Sequence, residues 1–298
     1  KWAAAIPDLK AQPGFAQTFM PHGRAPQIGE TFRFLAAAKT FKKIARSGIR
    51  EFYEGEIAQE IASHAKNNGG SMTEHDLSSY TPEWVGTISQ DIYAADGKTY
   101  SMHEIPPNGQ GIGALIALGI LQNFDLASLP VDGIESQHLQ IEVMKLAFAD
   151  VYQYVADPKS MMVTPMQMLD PAYLSERAKL INPHKATHFN FGMPQSGGTI
   201  YLTATDEHGR MISFIQSNYM GFGSGVVLPD WGISLQNRGF GFSTDPKSAN
   251  VVAGGKHPFH TIIPAFLMRK EGNSSVPQMS FGVMGGDMQP QGHLQTVL

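Results

Sequence analysis

Two short runs with strand-like alternation, separated by a polar turn, constrain the fold of this chain most strongly. Apolar side chains alternate with hydroxyl-bearing or aromatic ones over residues 200–205, and a second β-rich run covers residues 211–215. Residues 206–209 between them are typical of a turn. A period of two indicates β-strands, so we predict two strands joined by this turn. Thr199 then occupies the first position of the first strand, directly after two glycines.

The rest of the chain divides into a mostly helical first half and a β-rich second half. Apolar residues at helical spacing predict helices over residues 30–46, 55–66 and 136–154. Thr73, followed by Asp76, is typical of the start of a further short helix. Strand-like runs predict strands over residues 87–93, 98–105, 262–268 and 278–284, the first two as a hairpin. This distribution indicates an α+β protein with helices packed outside its sheets.

Composition excludes several classes of protein. The 298 residues are 42% apolar and 16% charged, which is typical of a folded globular protein. The formal net charge of -4 and the absence of a strong basic patch predict no nucleic-acid partner. The chain has no cysteine, which excludes disulfides, thiolate metal sites and cysteine nucleophiles. It has no run of about 18 apolar residues, so we predict no membrane segment and leave the cellular compartment open.

One pair of side chains has the spacing of metal ligands. His138 and Glu142 lie one helical turn apart in the predicted helix over residues 136–154. The sequence offers no second pair to complete a metal site, so we expect these side chains to be hydrogen-bonded or solvated. The sequence therefore predicts neither a metal nor a cofactor.

Short motifs recur in a fixed order along most of the chain. They are FYEGEIA at residues 52–58, NGG at 68–70, PPNGQG at 106–111, the helix from His138 to Asp150, GT at 198–199, FGSG at 222–225 and GG at 285–286. On these motifs, the chain from about residue 15 to residue 298 resembles the γ-glutamyltransferase (γ-glutamyltranspeptidase) family of N-terminal-nucleophile hydrolases, in its acylase-like branch.

The resemblance implies a fold and a maturation step. The family fold is a four-layer αββα sandwich, and we expect this chain to be truncated at both ends relative to it. Residues 1–198 would form the C-terminal part of the large subunit and residues 199–298 the N-terminal part of the small subunit. The polar linker 182–198 would end at the self-cleavage site between Gly198 and Thr199. The partners implied are thus the two subunits of one precursor.

The family mechanism assigns catalytic roles to four residues. A threonine hydroxyl needs a base, and its own α-amine, with a pKa of about 7.7 to 8.0, serves once the preceding bond is cut. Thr199 would be that nucleophile, with the hydroxyl of Ser217 beside it. Backbone N–H groups of Gly285 and Gly286 would bind the oxyanion, because nothing shields consecutive glycine N–H groups.

The substrate clamp departs from the family pattern. An aspartate that holds the substrate α-amino group is replaced by Gly241, and other clamp positions carry Tyr219, Arg238, His260 and Thr261. Arg238 and His260 would suit a carboxylate without a neighbouring amine. Asp287, directly after the oxyanion glycines, is the nearby carboxylate that can replace the missing anchor.

We therefore expect an autoprocessed hydrolase or transferase, as in glutathione metabolism, that cleaves a small γ-glutamyl or related acyl amide and passes the acyl group to water or an amine. The changed clamp leaves a glutaryl or cephalosporin acylase as an alternative. A non-catalytic binding protein that keeps the fold, or a piece without function by itself, remains a further alternative.

Overall fold

The computed structural model describes residues 1–189 and 199–298. Within these residues the α-helices are α1 (Trp2–Leu9), α2 (Phe15–Phe19), α3 (Leu35–Ser47), α4 (Arg50–Glu54), α5 (Glu56–Asn67), α6 (Glu74–Ser78), α7 (Gly111–Leu121), α8 (Ile134–Tyr154), α9 (Pro165–Met168), α10 (Pro171–Ala178) and α11 (Gln289–Val297). The strands are β1 (Ile88–Tyr93), β2 (Thr99–Glu104), β3 (Thr199–Thr205), β4 (Met211–Ser217), β5 (Val227–Leu228), β6 (Ile233–Ser234), β7 (Ala265–Glu271) and β8 (Ser274–Phe281). The predicted α+β class is confirmed.

The chain forms two compact units. The first comprises Lys1–Trp84 and Phe222–Asn237, and the second Val85–Gly221 and Arg238–Leu298. Each unit therefore contains sequence from both sides of the predicted cleavage point. The predicted subunit boundary after residue 198 does not coincide with a boundary of either compact unit. The division into residues 1–198 and 199–298 stays a prediction about where the chain is cut.

The first unit is mainly helical and packs around aromatic side chains. Trp231 is buried with Ile57 and Ile61 of α5. The hydroxyl of Thr40, in α3, donates to the Trp231 carbonyl over 2.6 Å. Because the backbone around Trp231 is joined to α3 by this buried bond, the short β5–β6 pair stays close to the helices.

The second unit contains a four-stranded antiparallel sheet in the order β1-β2-β7-β8. The predicted hairpin of β1 and β2 is confirmed. The strands β3 and β4 form a separate antiparallel pair, and the turn between them is where the sequence predicts it. Residues of this pair contact β8, so the pair lies against the end of the larger sheet.

Helix α7 forms the centre of the second unit's core. Every residue of α7 is buried, which fits its sequence GIGALIALGIL, apolar on all sides. It contacts β1 and β2 of the sheet as well as α8, α10 and α11. Because α7 is enclosed on all sides, its two ends are held in place. The motif at residues 106–111 leads into its N-terminal end.

Local signals predicted most elements and misplaced some boundaries. The capping box of Thr73 and Asp76 at α6 is confirmed. The predicted helix over residues 30–46 begins only at Leu35, and the predicted strands 262–268 and 278–284 are Ala265–Glu271 and Ser274–Phe281. None of the helices in residues 1–189 and 199–298 combines the length and the apolar composition that a membrane span requires.

Candidate active site

Thr199 is the first residue of β3, as predicted, and lies directly opposite Ser217, the last residue of β4. Opposed residues of an antiparallel pair point to the same face of the sheet. The Thr199 hydroxyl donates to the Ser217 hydroxyl over 3.4 Å, and Thr199 is only 7% exposed. The strand register therefore brings together the two hydroxyls that the sequence singles out.

Ser217 is itself held from the loop that follows β4. The backbone N–H of Tyr219 donates to the Ser217 hydroxyl over 2.9 Å, and Nη2 of Arg238 donates to the Ser217 carbonyl over 3.4 Å. Both the side chain and the backbone of Ser217 are thus fixed next to Thr199.

Tyr219 and Arg238 lie against each other. Tyr219 has a positive φ of 78°, which is uncommon for a residue other than glycine. The Arg238 guanidinium lies 5.6 Å from the centre of the Tyr219 ring, a cation–π distance. Burial lowers the pKa of Arg238, yet an arginine keeps its charge in proteins. One enclosed positive charge therefore lies beside Tyr219 and donates to the carbonyl of Ser217, at the end of β4.

His260 lies in the same unit and is neutral near pH 7. Its Nδ1 accepts a hydrogen bond from the N–H of Ile262 over 3.2 Å, which assigns the ring proton to Nε2. Burial, followed by the positive charge of Arg238, lowers the pKa of His260 to about 4. Any hydrogen bond from His260 to a carboxylate would therefore come from a neutral N–H group. The neighbouring Thr261 is buried, with 3% of its surface exposed.

Gly285 and Gly286 form the turn between β8 and α11. Both have positive φ values, 148° and 63°, which glycine adopts without strain. The Gly286 carbonyl accepts bonds from the side-chain amides of Gln110 and Gln289 over 2.8 and 3.0 Å. A Cβ added at Gly282, three residues before the turn, would lie 2.5 Å from the ring of Tyr201, two residues after Thr199. The turn therefore follows directly after backbone that touches the start of β3.

A cavity of about 390 Å³ opens beside Tyr219. Its lining is rich in aromatic residues and comprises Tyr152, Val155, Tyr219, Phe240, Gly241, Phe242, Ser243, Ser248, Asn250, Phe259 and Asp287. Burial and then the negative charge of Asp287 raise the pKa of both Tyr152 and Tyr219. Asp287 and Gly241 thus border one space, although 46 positions separate them in the sequence (287 − 241).

Gly241 has no space for a side chain. A Cβ at this position would lie 2.5 Å from the carbonyl oxygen of Phe259, closer than real Cβ contacts come. An aspartate at 241 would therefore require a shift of the backbone. Sequence reasoning identified Asp287 but missed Tyr152, Phe240 and Phe259 as cavity residues, because nothing in their local pattern distinguishes them from core aromatics.

Two further predictions concern metals and the cleavage site. His138 Nε2 bonds to the Asn182 carbonyl over 2.8 Å and Glu142 pairs with Lys145 over 2.5 Å, which confirms the hydrogen-bonded interpretation. Among the described residues, no group of three or more histidines and carboxylates could hold a metal ion. Gly198, the predicted residue before the cut, lies outside the described residues.

A protein-family model described as Gamma-glutamyltranspeptidase matches residues 1–298, the whole chain. The chain is similar to the glutathione hydrolase-like YwrD proenzyme of Bacillus subtilis, with 35% identity over 287 residues that cover 95% of this chain and 52% of that protein. It is similar to the oxamate amidohydrolase proenzyme of Klebsiella pneumoniae, with 36% identity over 289 residues, 97% of this chain and 52% of that protein.

The chain is also similar to solved structures. The crystal structure of cephalosporin acylase from Bacillus halodurans matches with a TM-score of 0.90 and 45% identity, and the match covers 99% of this chain and 53% of that one. The chain therefore spans about half the length of the relatives that it matches.

The neutral state of His260 can be tested by NMR. We expect its ring to titrate near pH 4, and Arg238→Gln to raise that midpoint because it removes a nearby positive charge. Because the folded pKa lies below the ordinary value of 6.5, the unfolded chain takes up this proton first, and stability should decrease as the pH falls from 6.5 towards 4. A folded-state titration of His260 near 6.5, the value expected in urea, would contradict the burial argument.

Proposed function

The chain belongs to the gamma-glutamyltranspeptidase family, and on that premise we propose that it forms part of an N-terminal-nucleophile amide hydrolase in which Thr199 is the nucleophile. The observation that carries the proposal is the buried hydroxyl of Thr199 at the start of a strand, bonded to Ser217. Thr199 gains a free α-amine, which can act as the base for its hydroxyl, only if the peptide bond from Gly198 is cut. The proenzyme names of the relatives support such a cut.

In the proposed reaction, the free α-amine of Thr199 accepts the proton of its own hydroxyl. The oxygen attacks the amide carbon of the donor, and the N–H groups of Gly285 and Gly286 stabilise the negative oxygen of the tetrahedral intermediate. The α-ammonium then returns the proton to the leaving amine, and the acyl group remains as an ester on Thr199. Water or another amine attacks this ester, which frees the hydroxyl and completes the cycle.

Ser217 would tune the nucleophile. Its hydroxyl oxygen accepts a bond from the Tyr219 N–H, which sets the direction of its remaining lone pair. Before the reaction, the Thr199 hydroxyl donates its hydrogen bond to that lone pair. During attack, the hydroxyl proton must pass to the α-amine of Thr199 instead. Ser217 therefore orients the hydroxyl rather than removing its proton.

For the donor, we propose recognition of both a carboxylate and an ammonium group. We propose that Arg238, the Thr261 hydroxyl and the neutral Nε2–H of His260 donate hydrogen bonds to the carboxylate, and the position of Arg238 beside Ser217 and the Nδ1 bond of His260 support this. Asp287 borders the same cavity as Gly241 and would replace the missing aspartate as partner of the ammonium. Aromatic walls around a carboxylate favour a cation, since ring faces attract positive charge.

Specificity separates this proposal from a second candidate. The absence of a carboxylate at Gly241 favours a glutaryl-type acylase, whose donor carries no amine. The position of Asp287 favours a γ-glutamyl-type donor. We give the γ-glutamyl class precedence because Asp287 lines the cavity, where its negative charge would attract the ammonium group of such a donor.

At the level of the fold, we propose the four-layer αββα sandwich of the family for the complete protein. The sheet β1-β2-β7-β8 with α7 packed on it supports this proposal, as does the likeness to cephalosporin acylase.

The nucleophile is tested by mutation of the full-length protein. We expect the wild type to yield a fragment whose N-terminal sequence begins Thr-Ile-Tyr, and Thr199→Ala to remain one chain without activity. Thr199→Ser should keep slower cleavage and turnover because it retains a hydroxyl. Ser280→Ala, which removes a hydroxyl bonded to Thr203 of the same strand, serves as the control and should behave as wild type. Turnover by uncut Thr199→Ala would exclude this residue as nucleophile.

The role of Asp287 is tested with two chromogenic anilides, γ-glutamyl and glutaryl. Asp287→Asn keeps the shape and removes the charge, so kcat/KM for the γ-glutamyl donor should fall by about 10- to 100-fold, the equivalent of an unpaired charged group. The glutaryl donor should change by less than about threefold. Asp132→Asn, an exposed aspartate, is the charge-matched control. Equal losses for both donors, or a wild-type preference for glutaryl, would favour the acylase instead.

A further inference from the structure

The motif PPNGQG at residues 106–111 joins β2 to α7, and the residues that it contacts lie in the candidate site. Nδ2 of Asn108 donates to the Pro258 carbonyl over 2.6 Å. The His260 N–H donates to the Asn108 carbonyl over 3.2 Å, and the Gln110 N–H donates to the His260 carbonyl over 3.0 Å. Three hydrogen bonds therefore tie the motif to the segment that carries His260.

The contact with this segment is close. A Cβ at Gly109 would lie 2.8 Å from Cε1 of the His260 ring, so the position accommodates glycine and no larger residue without a shift of that ring. The motif is thus fitted against the imidazole as well as against the backbone.

Gln110 makes a second connection through its fully buried side chain. Its Nε2 donates to the Gly286 carbonyl over 2.8 Å and to the Thr261 carbonyl over 3.4 Å. Nε2 of Gln289 donates to the same two carbonyls, over 3.0 and 2.6 Å. Two amide groups therefore bridge the turn after β8 and the segment around Thr261.

The bridged carbonyls belong to the two parts of the site that must stay aligned. Because a peptide unit is planar, fixing the Gly286 oxygen fixes the plane that leads into Asp287. Fixing the Thr261 oxygen does the same for the proposed carboxylate clamp. Preorganised groups lose much of their effect when they move, and a displacement of about 1 Å can reduce a rate about 10²-fold.

We infer that Gln110 is a positioning residue that holds the oxyanion turn and the carboxylate clamp in place relative to Thr199. The inference rests on the proposed function and assigns a role to the 106–111 motif, which the chemistry itself does not use. Gln110 acts through Gly286 and Thr261 and does not touch the substrate.

A second buried contact secures the helix that follows the turn. Oε1 of Glu104, at the end of β2, lies 2.6 Å from Nδ1 of His293 in α11, and both side chains are fully buried. The chain around the 106–111 motif and the chain around the turn are thus joined twice, once by Gln110 and once by the pair of Glu104 and His293. From the side of the 106–111 motif, the side chain of Gln110 reaches the turn itself, where Gln289 donates to the same carbonyl.

The donor end of the Gln110 amide is what this role requires. Among the described residues, Oε1 of Gln110 has no hydrogen-bond partner. Gln110→Glu would keep the shape but set an oxygen against two carbonyl oxygens, and a carboxyl group donates only when it is protonated. The glutamate variant should therefore regain function relative to wild type as the pH falls.

The test compares Gln110→Ala and Gln110→Glu with wild type in the full-length protein. Gln122→Ala is the matched control, because Gln122 follows the other end of α7 and also donates its amide to a backbone carbonyl, that of Asp91, outside the site. Three quantities are measured: kcat and KM for the γ-glutamyl anilide, the pH dependence of kcat, and hydrogen–deuterium exchange over residues 258–262 and 284–289.

We expect Gln110→Ala to lower kcat about 10²-fold, with a smaller change in KM, and to accelerate exchange in both segments. Gln122→Ala should do neither. For Gln110→Glu, the ratio of its kcat to that of wild type should rise as the pH is lowered. Unchanged exchange in both segments, or a kcat within about threefold of wild type, would overturn the inference while Thr199-dependent turnover left the proposed function intact. Faster exchange in these segments in a protein without amide turnover would support the positioning role and reject the proposed function.

Discussion

The pairing of β3 with β4 is the interaction on which the candidate active site depends. Thr199 faces Ser217 only in the observed register, because a shift by one residue would turn every side chain of one strand to the opposite face. Side-chain bonds hold this register: the hydroxyls of Tyr201 and Ser213 lie 2.9 Å apart, and Ser213 donates to the Phe281 carbonyl. The hairpin is thereby fixed both internally and against β8, which leads to the turn at Gly285.

Two opposite charges lie next to Tyr219, which lines the same cavity as Gly241. Arg238 supplies an enclosed positive charge over one face of the Tyr219 ring. Burial and then the negative charge of Asp287 raise the pKa of the Tyr219 phenol. His260 adds no charge near neutral pH, since its Nδ1 accepts a backbone hydrogen bond. One positive and one negative group therefore border the same tyrosine, and the proposed recognition of an acidic and an amine end of the donor depends on this arrangement.

Features with a local cause could be predicted from the sequence, whereas features that depend on distant partners could not. Alternation and turn residues sufficed for the β3–β4 pair and for the position of Thr199. Helix α3 begins later than its apolar spacing suggests because Phe34 is its N-cap and its ring packs 5.6 Å from that of Phe19. The contacts of Gln110 could not be predicted from the sequence, because its acceptors lie 151 and 176 positions away. The cavity that Asp287 lines could not be predicted either, because α8, which is distant in sequence, contributes Tyr152 to its lining.

If Thr199 carries the acyl group during turnover, the ester on its hydroxyl can be trapped and located. The full-length protein would be mixed with the γ-glutamyl anilide, quenched in acid within the first turnovers and digested with trypsin. We expect the peptide from Thr199 to Arg210 to gain the mass of the acyl group, localised to Thr199 by fragmentation. An acyl group on any other residue, or continued turnover with this peptide unmodified at every quench time, would contradict it.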